Sequence, residues 1–378
     1  MFDIAKYKPV VASALITKGG PMALKQVVLT AMTLASVSML IQPTSAFANH
    51  IKSPGTWTPT CGTPGSLACM PEGREGFAMA RVGNQIIVTH GFKSVGGDNN
   101  DTRIYDIDTD SWLNPAPVPP FAQRSELAGA AHGHLVYAVG GRGLCAVSVG
   151  GLCADLEVYD PVANFWASLP PMPTPRAGLA AATVGNKLFA IGGRTGTVPG
   201  SGAALSCLEA YDIDAATWSA ACGAPGALVP MPVAAMDVAA VAHGGNIYVI
   251  GGSGGPDPAG PLLTTVQIYN VAKDAWFLGA PMPTARANLA LATCGSVILA
   301  LGGRTGPAFF GAAVNSATVE AYEIPKNLWT VGLSPMPTAK SEHGVASHGG
   351  LVYASGSGIF GAAMNSHEAL SCASLFMK

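Results

Sequence analysis

Apolar residues in this chain come in short runs closed off by glycine, proline or asparagine, and the same order of runs keeps returning. A proline turn comes first, as in Met172-Pro173-Thr174-Pro175-Arg176, Met282-Pro283-Thr284-Ala285-Arg286 and Met336-Pro337-Thr338-Ala339-Lys340. A small-residue run follows, such as Leu179-Ala180-Ala181-Ala182. The next run ends in double glycine, as in Leu188-Phe189-Ala190-Ile191-Gly192-Gly193 or Ile247-Tyr248-Val249-Ile250-Gly251-Gly252. A third reads Leu156-Glu157-Val158-Tyr159-Asp160 or Leu208-Glu209-Ala210-Tyr211-Asp212, with a Trp shortly after the Tyr. Apolar runs of about five residues bounded by turn formers predict strands rather than helices. The tryptophans count the copies: Trp57, Trp112, Trp166, Trp218, Trp276 and Trp329, with gaps of 55, 54, 52, 58 and 53 residues.

The double glycine, the Glu-x-Tyr-Asp strand and the spaced Trp resemble the kelch repeat, from Trp57 to the C-terminus. The resemblance implies an all-β fold, a six-bladed β-propeller of four-stranded antiparallel blades. A lone sheet of that size cannot bury both faces, so neighbouring copies must stabilise one another. The Ala- and Gly-rich runs, such as Ala128-Gly129-Ala130-Ala131, suit the crowded innermost strands. Trp57 opens the array and the last copy lacks a Trp, so the N-terminal strand is expected to complete the last blade and remove a free edge.

Eight cysteines fit this frame. If Tyr211 faces Trp218 across a hairpin, Cys207 faces Cys222, within disulfide reach. Thr56-Trp57 through Gly65 repeats Thr217-Trp218 through Gly226, and Ser371-Cys372 loosely repeats Ser206-Cys207. By repetition, Cys61 is expected to pair with Cys372. Cys145 and Cys153 flank an insertion and are expected to pair locally. Cys69 and Cys294 remain, the latter read as a small buried thiol. The register of the last strand stays open, because either Glu368 or Ser374 could be the counterpart of Glu320.

Composition narrows the classes. Apolar residues make up 49% and charged residues 11%, the opposite of a disordered chain. A net charge of −2 gives no support to a nucleic-acid partner. Residues 1–48 read as a secretory signal peptide: Lys25, an uncharged run from Val27 to Ile41, then Ala46-Phe47-Ala48, with Met22 as an alternative start. That predicts a secreted or periplasmic protein whose mature part, 49–378, is the propeller, a monomer without a membrane span.

Of the sixteen Lys and Arg after Ala48, nine fall on one face of the expected blades. Arg74, Arg124, Arg176, Arg286 and Lys340 lead into first strands, and Lys93, Arg142, Arg194 and Arg304 follow second strands. They are candidate contacts for an anionic ligand. The alternative is structural. The fourth copy loses the lead-in Arg, the later Arg and the strand Glu together (Ala235, Ser253, Gln267), as an Arg–Glu–Arg cluster within each copy predicts. His132, His243 and His348 share one turn position, and a polar hairpin turn explains them better than a metal. No metal or other cofactor is called for.

Two functions follow. The resemblance to kelch domains, mostly recognition modules, implies a non-catalytic module binding a protein or a glycan, and no nucleophile elbow, zinc helix, P-loop or dinucleotide motif is present. The export signal, copy number and repeat style are also similar to kelch proteins of the N-acetylneuraminate epimerase kind, which implies a sugar-acting enzyme with Glu342, His343 and Glu75 as acid–base groups beside Arg74. Sequence leaves the choice open, leaning away from catalysis.

Overall fold

A computed structural model describes residues 55–113, 123–196, 202–255, 260–306, 314–358 and 364–374. The leader read over 1–48 lies outside them. The described residues belong to one compact unit, Thr44–Lys378. Among them strands dominate, and no helix is long and apolar enough to cross a membrane.

The repeated runs become repeated antiparallel sheets. The first has Ala78–Val82, Gln85–Thr89, Thr102–Asp106 and Ser111–Trp112 in that order. The second has Ala128–His132, Leu135–Val139, Leu156–Asp160 and Phe165–Leu169, and the third Ala180–Val184, Lys187–Ile191, Leu208–Asp212 and Thr217–Trp218. The fourth has Ala239–His243, Asn246–Ile250, Val266–Asn270 and Ala275–Leu278, and the fifth Ala290–Cys294, Val297–Leu301, Val319–Glu323 and Leu328–Thr330. The last has three strands, Gly344–His348, Leu351–Ser357 and Met364–Ser371. Trp57 bridges Leu370 on its open side, and the Thr58 N–H donates to the Ala369 carbonyl at 2.8 Å.

The cores lie between sheets. Ala182, Phe189 and Leu208 of the third pack with Val238, Ile247 and Tyr269 of the fourth. Met79, Ile86 and Tyr105 of the first pack likewise with Ala346, Tyr353 and Ala369 of the last. Within five sheets a buried Tyr pairs with the Trp across the outer hairpin, with ring centroids 5.0 to 5.4 Å apart. Such aromatic pairs contribute about 0.5–1.5 kcal/mol each beyond their burial. The Trp indole then ties the sheet to the segment leading into it: Trp218 donates to the Pro170 carbonyl at 2.8 Å and Trp329 to that of Ala280 at 2.8 Å.

The double glycines make sheet-to-sheet contacts. Gly141 has φ +102°, and a Cβ there would lie 2.6 Å from the Ser125 carbonyl. Its N–H donates to the Arg176 carbonyl at 3.0 Å, in the segment leading into the next sheet. Gly91 to Arg124, Gly193 to Ala235, Gly252 to Arg286 and Gly303 to Lys340 repeat that bond, and Ser357 donates to Arg74.

Disulfides join Cys145 to Cys153 and Cys207 to Cys222. The expected Cys61–Cys372 bond is corrected: Cys372 is joined to Cys294, and Cys61 is free. The reason is register. Ala354 faces Glu368 as Ala300 faces Glu320, so Glu368 takes the strand-Glu position. Ser366, two residues before it, then stands where Cys207 stands before Glu209. The Cys61 thiol accordingly lies against the Asn365 carbonyl, at 3.6 Å. Cys372 is carried to the far end of its strand, beside the fifth sheet, and Cys294 is no longer a lone thiol. Peptide mapping without reduction is expected to recover a Cys294–Cys372 pair. Recovery of Cys61 bonded to Cys372 would mean that the last strand is shifted toward the Ser374 register.

Candidate functional site

Five of the six lead-in segments carry a long cation that the sheet buries. Arg124, Arg176 and Arg286 are at most 1% exposed. Arg124 Nη2 donates to Glu157 Oε2 at 2.5 Å, Arg176 Nη1 to Glu209 Oε2 at 2.5 Å, and Arg286 Nη2 to Glu320 Oε2 at 2.7 Å. Backbone carbonyls take further N–H groups, as when Arg124 Nη1 donates to Gly140 and Asp155. Burial lowers each guanidinium pKa, and the facing carboxylate opposes that shift. In the fourth sheet, where Ala235 replaces the Arg, Gln267 replaces the Glu and exchanges two hydrogen bonds with the backbone of Val233. In the last sheet Lys340 is buried 3.5 Å from Glu368 and bonded to Ser366. In the first, buried Arg74 donates to Asp101 Oδ1 at 2.6 Å and to the His90 carbonyl at 2.9 Å.

The expectation that Arg74, Arg124, Arg176, Arg286 and Lys340 face a ligand is therefore corrected. They are interior cations, held there because the third strand, or Asp101 in the first sheet, supplies an anion. Arg74 in particular is not placed to receive a substrate carboxylate.

The cations after the second strands behave differently from the expected Arg–Glu–Arg cluster. Arg142 Nε donates to Glu126 Oε1 at 2.6 Å. Arg194 pairs with Glu126 and lies 3.5 Å from Asp237. Arg304 reaches Asn288 Oδ1 at 2.9 Å and Asp237 Oδ2 at 3.4 Å. Arg194 and Arg304 reach acids of neighbouring copies and Arg142 pairs with Glu126 of its own, and none of them joins the buried Arg–Glu pair. Lys93 pairs with Glu72 and Asp101.

What these pairs surround is one backbone position, two residues beyond each lead-in cation and, in the fourth copy, beyond Ala235: Gly76, Glu126, Gly178, Asp237, Asn288 and Glu342. All six are left-handed, with φ between +51° and +61°. Each N–H donates to the carbonyl of the equivalent residue in the preceding copy, and Gly76 donates to Glu342 at 3.1 Å, so the chain of bonds returns to its start. An opening of about 120 Å³ lies within, lined by those six and, next to them, Phe77, Leu127, Leu179, Val238, Leu289 and His343. Beyond it a second cavity is lined by the small residues of the first strands.

This opening is acidic. Glu126, Asp237 and Glu342 stand at alternate copies. Burial raises the Glu342 carboxyl well above the usual range, and Glu75, Glu126 and Asp237 push it further. Burial, then Lys340 and Arg286, lowers the adjacent His343 imidazole to about 3. Of the acid–base trio read from the sequence, Glu342 and His343 line the opening. Glu75 is buried close by, its N–H bonded to the Phe92 carbonyl. Glu126, Asp237 and Asn288 were missed, although their fixed offset from the lead-in position and the glycines there were visible signals. His132, His243 and His348 end the first strands, at the opposite end from this opening.

A family model, the Kelch motif, matches residues 123–173, 175–221 and 235–283, each stretch covering one sheet with its lead-in. Those three stretches carry Kelch motifs. Similar curated proteins include kelch-like protein 36 of Bos taurus, 29% identical over 68% of this chain and 39% of the relative. Kelch-like protein 34 of Homo sapiens is 29% identical over 51% of this chain and 27% of its own. Kelch-like protein terF of Aspergillus terreus is 26% identical over 82% of this chain and 66% of its own. The chain thus spans about two-fifths of the length of the bovine relative. Such relatives correct the expectation of a secreted or periplasmic kelch-repeat protein, because kelch-like proteins of this kind are intracellular.

Arg176→Ala is expected to cost about 3–5 kcal/mol of unfolding free energy in denaturant titration, because it leaves Glu209 buried without its cation. A loss below about 1 kcal/mol, the worth of an exposed ion pair, would contradict the interior placement.

Proposed function

We propose that this kelch-repeat protein is a six-bladed β-propeller, closed by the strand around Trp57, that acts as a non-catalytic module binding a protein partner. Closure is supported by the Trp57–Leu370 bridge and by the backbone bonds that run from copy to copy and back. The partner would sit on the face carrying the axial opening and the long connections after the second strands.

The observation that carries this reading is the set of exposed apolar side chains on those connections. Val95, Leu144, Val149 and Val314 all stand on those connections and are 60–89% exposed. Apolar side chains exposed on such loops are the material of a recognition surface, although others, such as Phe165 and Leu278, stand on outer strands. Loops held by a rigid scaffold are where binding residues concentrate. Against catalysis of an acidic sugar stands electrostatics: the opening offers carboxylates, with the five lead-in cations buried behind them.

In-cell crosslinking of the full chain with mass spectrometry tests this. Leu144→Asp combined with Val149→Asp is expected to lower recovery of the partner crosslinks about tenfold, the effect of roughly 1.4 kcal/mol. Phe165→Asp, exposed on an outer strand, is expected to leave recovery unchanged. Equal recovery from both variants would sink the reading.

A further inference from the structure

We propose that the axial opening receives the positively charged head of an arginine or lysine side chain from the protein partner. The inference rests on the protein-binding reading and names the chemistry of its centre.

Two independent observations carry it. The first is the collar beneath the acidic rim. Five copies place an apolar side chain there: Phe77, Leu127, Leu179, Val238 and Leu289. The last copy places His343, which is only 8% exposed. Neither ring nitrogen of His343 has a hydrogen-bond partner among the described residues. A buried imidazole left unbonded costs about 1–3 kcal/mol compared with one that is satisfied. An apolar residue, as in the other copies, would avoid that cost. A neutral imidazole offers one acceptor nitrogen to whatever enters.

The second is uneven neutralisation of the rim. Glu126 is bonded to Arg142 and Arg194, and Asp237 lies near Arg194 and Arg304. The Glu342 backbone is bonded to its neighbours in the ring, but its side-chain carboxyl has neither a hydrogen-bonded nor an ion-paired partner among the described residues. An unpaired carboxyl in a partly enclosed opening beside other acids is held protonated, and an entering cation would let it ionise and pair.

Geometry selects the kind of cation. The rim carboxylates stand on alternate copies. Among the described residues, the sets of three ligand atoms within 4.8 Å of one another are both built on disulfide cysteines, not on this rim. A bare metal ion would not be gripped from several sides. A guanidinium or ammonium on a flexible stem carries several N–H donors outward, toward Glu342, Asn288 and His343. An opening of about 120 Å³ has room for such a head group.

Calorimetric titration of the full chain with acetyl-Gly-Arg-Gly-amide, its Lys and citrulline counterparts, spermidine and calcium chloride tests the proposal. Saturable binding of the Arg or Lys peptide is expected, with the uncharged citrulline peptide bound at least about tenfold more weakly. Glu342→Asn and His343→Leu each install the residue found at that position in the fifth copy, so both should fold. Each is expected to weaken the charged peptide about tenfold. Equal affinity for Arg and citrulline, or full affinity in both variants, would overturn the proposal. So would tighter binding of calcium or spermidine than of either charged peptide. If no peptide binds while the Leu144 and Val149 substitutions still abolish partner crosslinks, the cation pocket is wrong and the protein-binding reading stands.

Discussion

One backbone bond sets the geometry of this molecule: the N–H of a left-handed residue at the mouth of each inner strand donates to the same residue's carbonyl in the copy before it. Six such bonds follow one another through Gly76, Glu126, Gly178, Asp237, Asn288 and Glu342. The left-handed backbone is costly for most side chains. Glycine accepts it freely and Asn and Asp tolerate it. Where Glu stands instead, at 126 and 342, strain is borne at the point where a carboxylate is presented to the opening. A second set of bonds, from the glycine after each second strand to the next lead-in segment, ties the same loops from the outside. Between these two sets the loop has no freedom to wander, and its side chains face fixed directions.

The buried cations follow from that confinement. A lead-in segment pinned at its carbonyl turns its Arg inward, among strand carbonyls and away from water. The long side chain can stay charged there only if an anion is placed opposite. Glu157, Glu209 and Glu320 supply it. Such a pair adds little net stability compared with an apolar substitute, yet breaking it is expensive. This is why Ala235 and Gln267 appear together in the fourth sheet. With those cations interior and the later Arg residues only partly neutralising the rim acids, the opening keeps its acidic character.

Much of this was legible from residues alone. The Tyr-to-Trp spacing gave the outer hairpin, and Tyr211 does face Trp218. Joint replacement at 235 and 267 pointed to an ion pair inside the sheet. Other parts were hidden for physical reasons. Ser371-Cys372 mimics Ser206-Cys207 in sequence, but register is fixed by what the face buries, and Glu368 had to meet Lys340. Nine cations on one face looked like an anion funnel because sequence shows which face a residue leads into, not whether its side chain turns inward. Glu126 and Asp237 gave no charge pattern by themselves. They matter only because the copies bring them to one opening.

Native-state hydrogen exchange at the six axial amides tests the account most directly. If the chain of bonds is unbroken, the amides of Gly76, Glu126, Gly178, Asp237, Asn288 and Glu342 should exchange only through global unfolding, as slowly as amides of the central strands. If the Gly76 amide, which joins the first copy to the last, exchanges orders of magnitude faster than that of Gly178, the bonds do not close and the account fails.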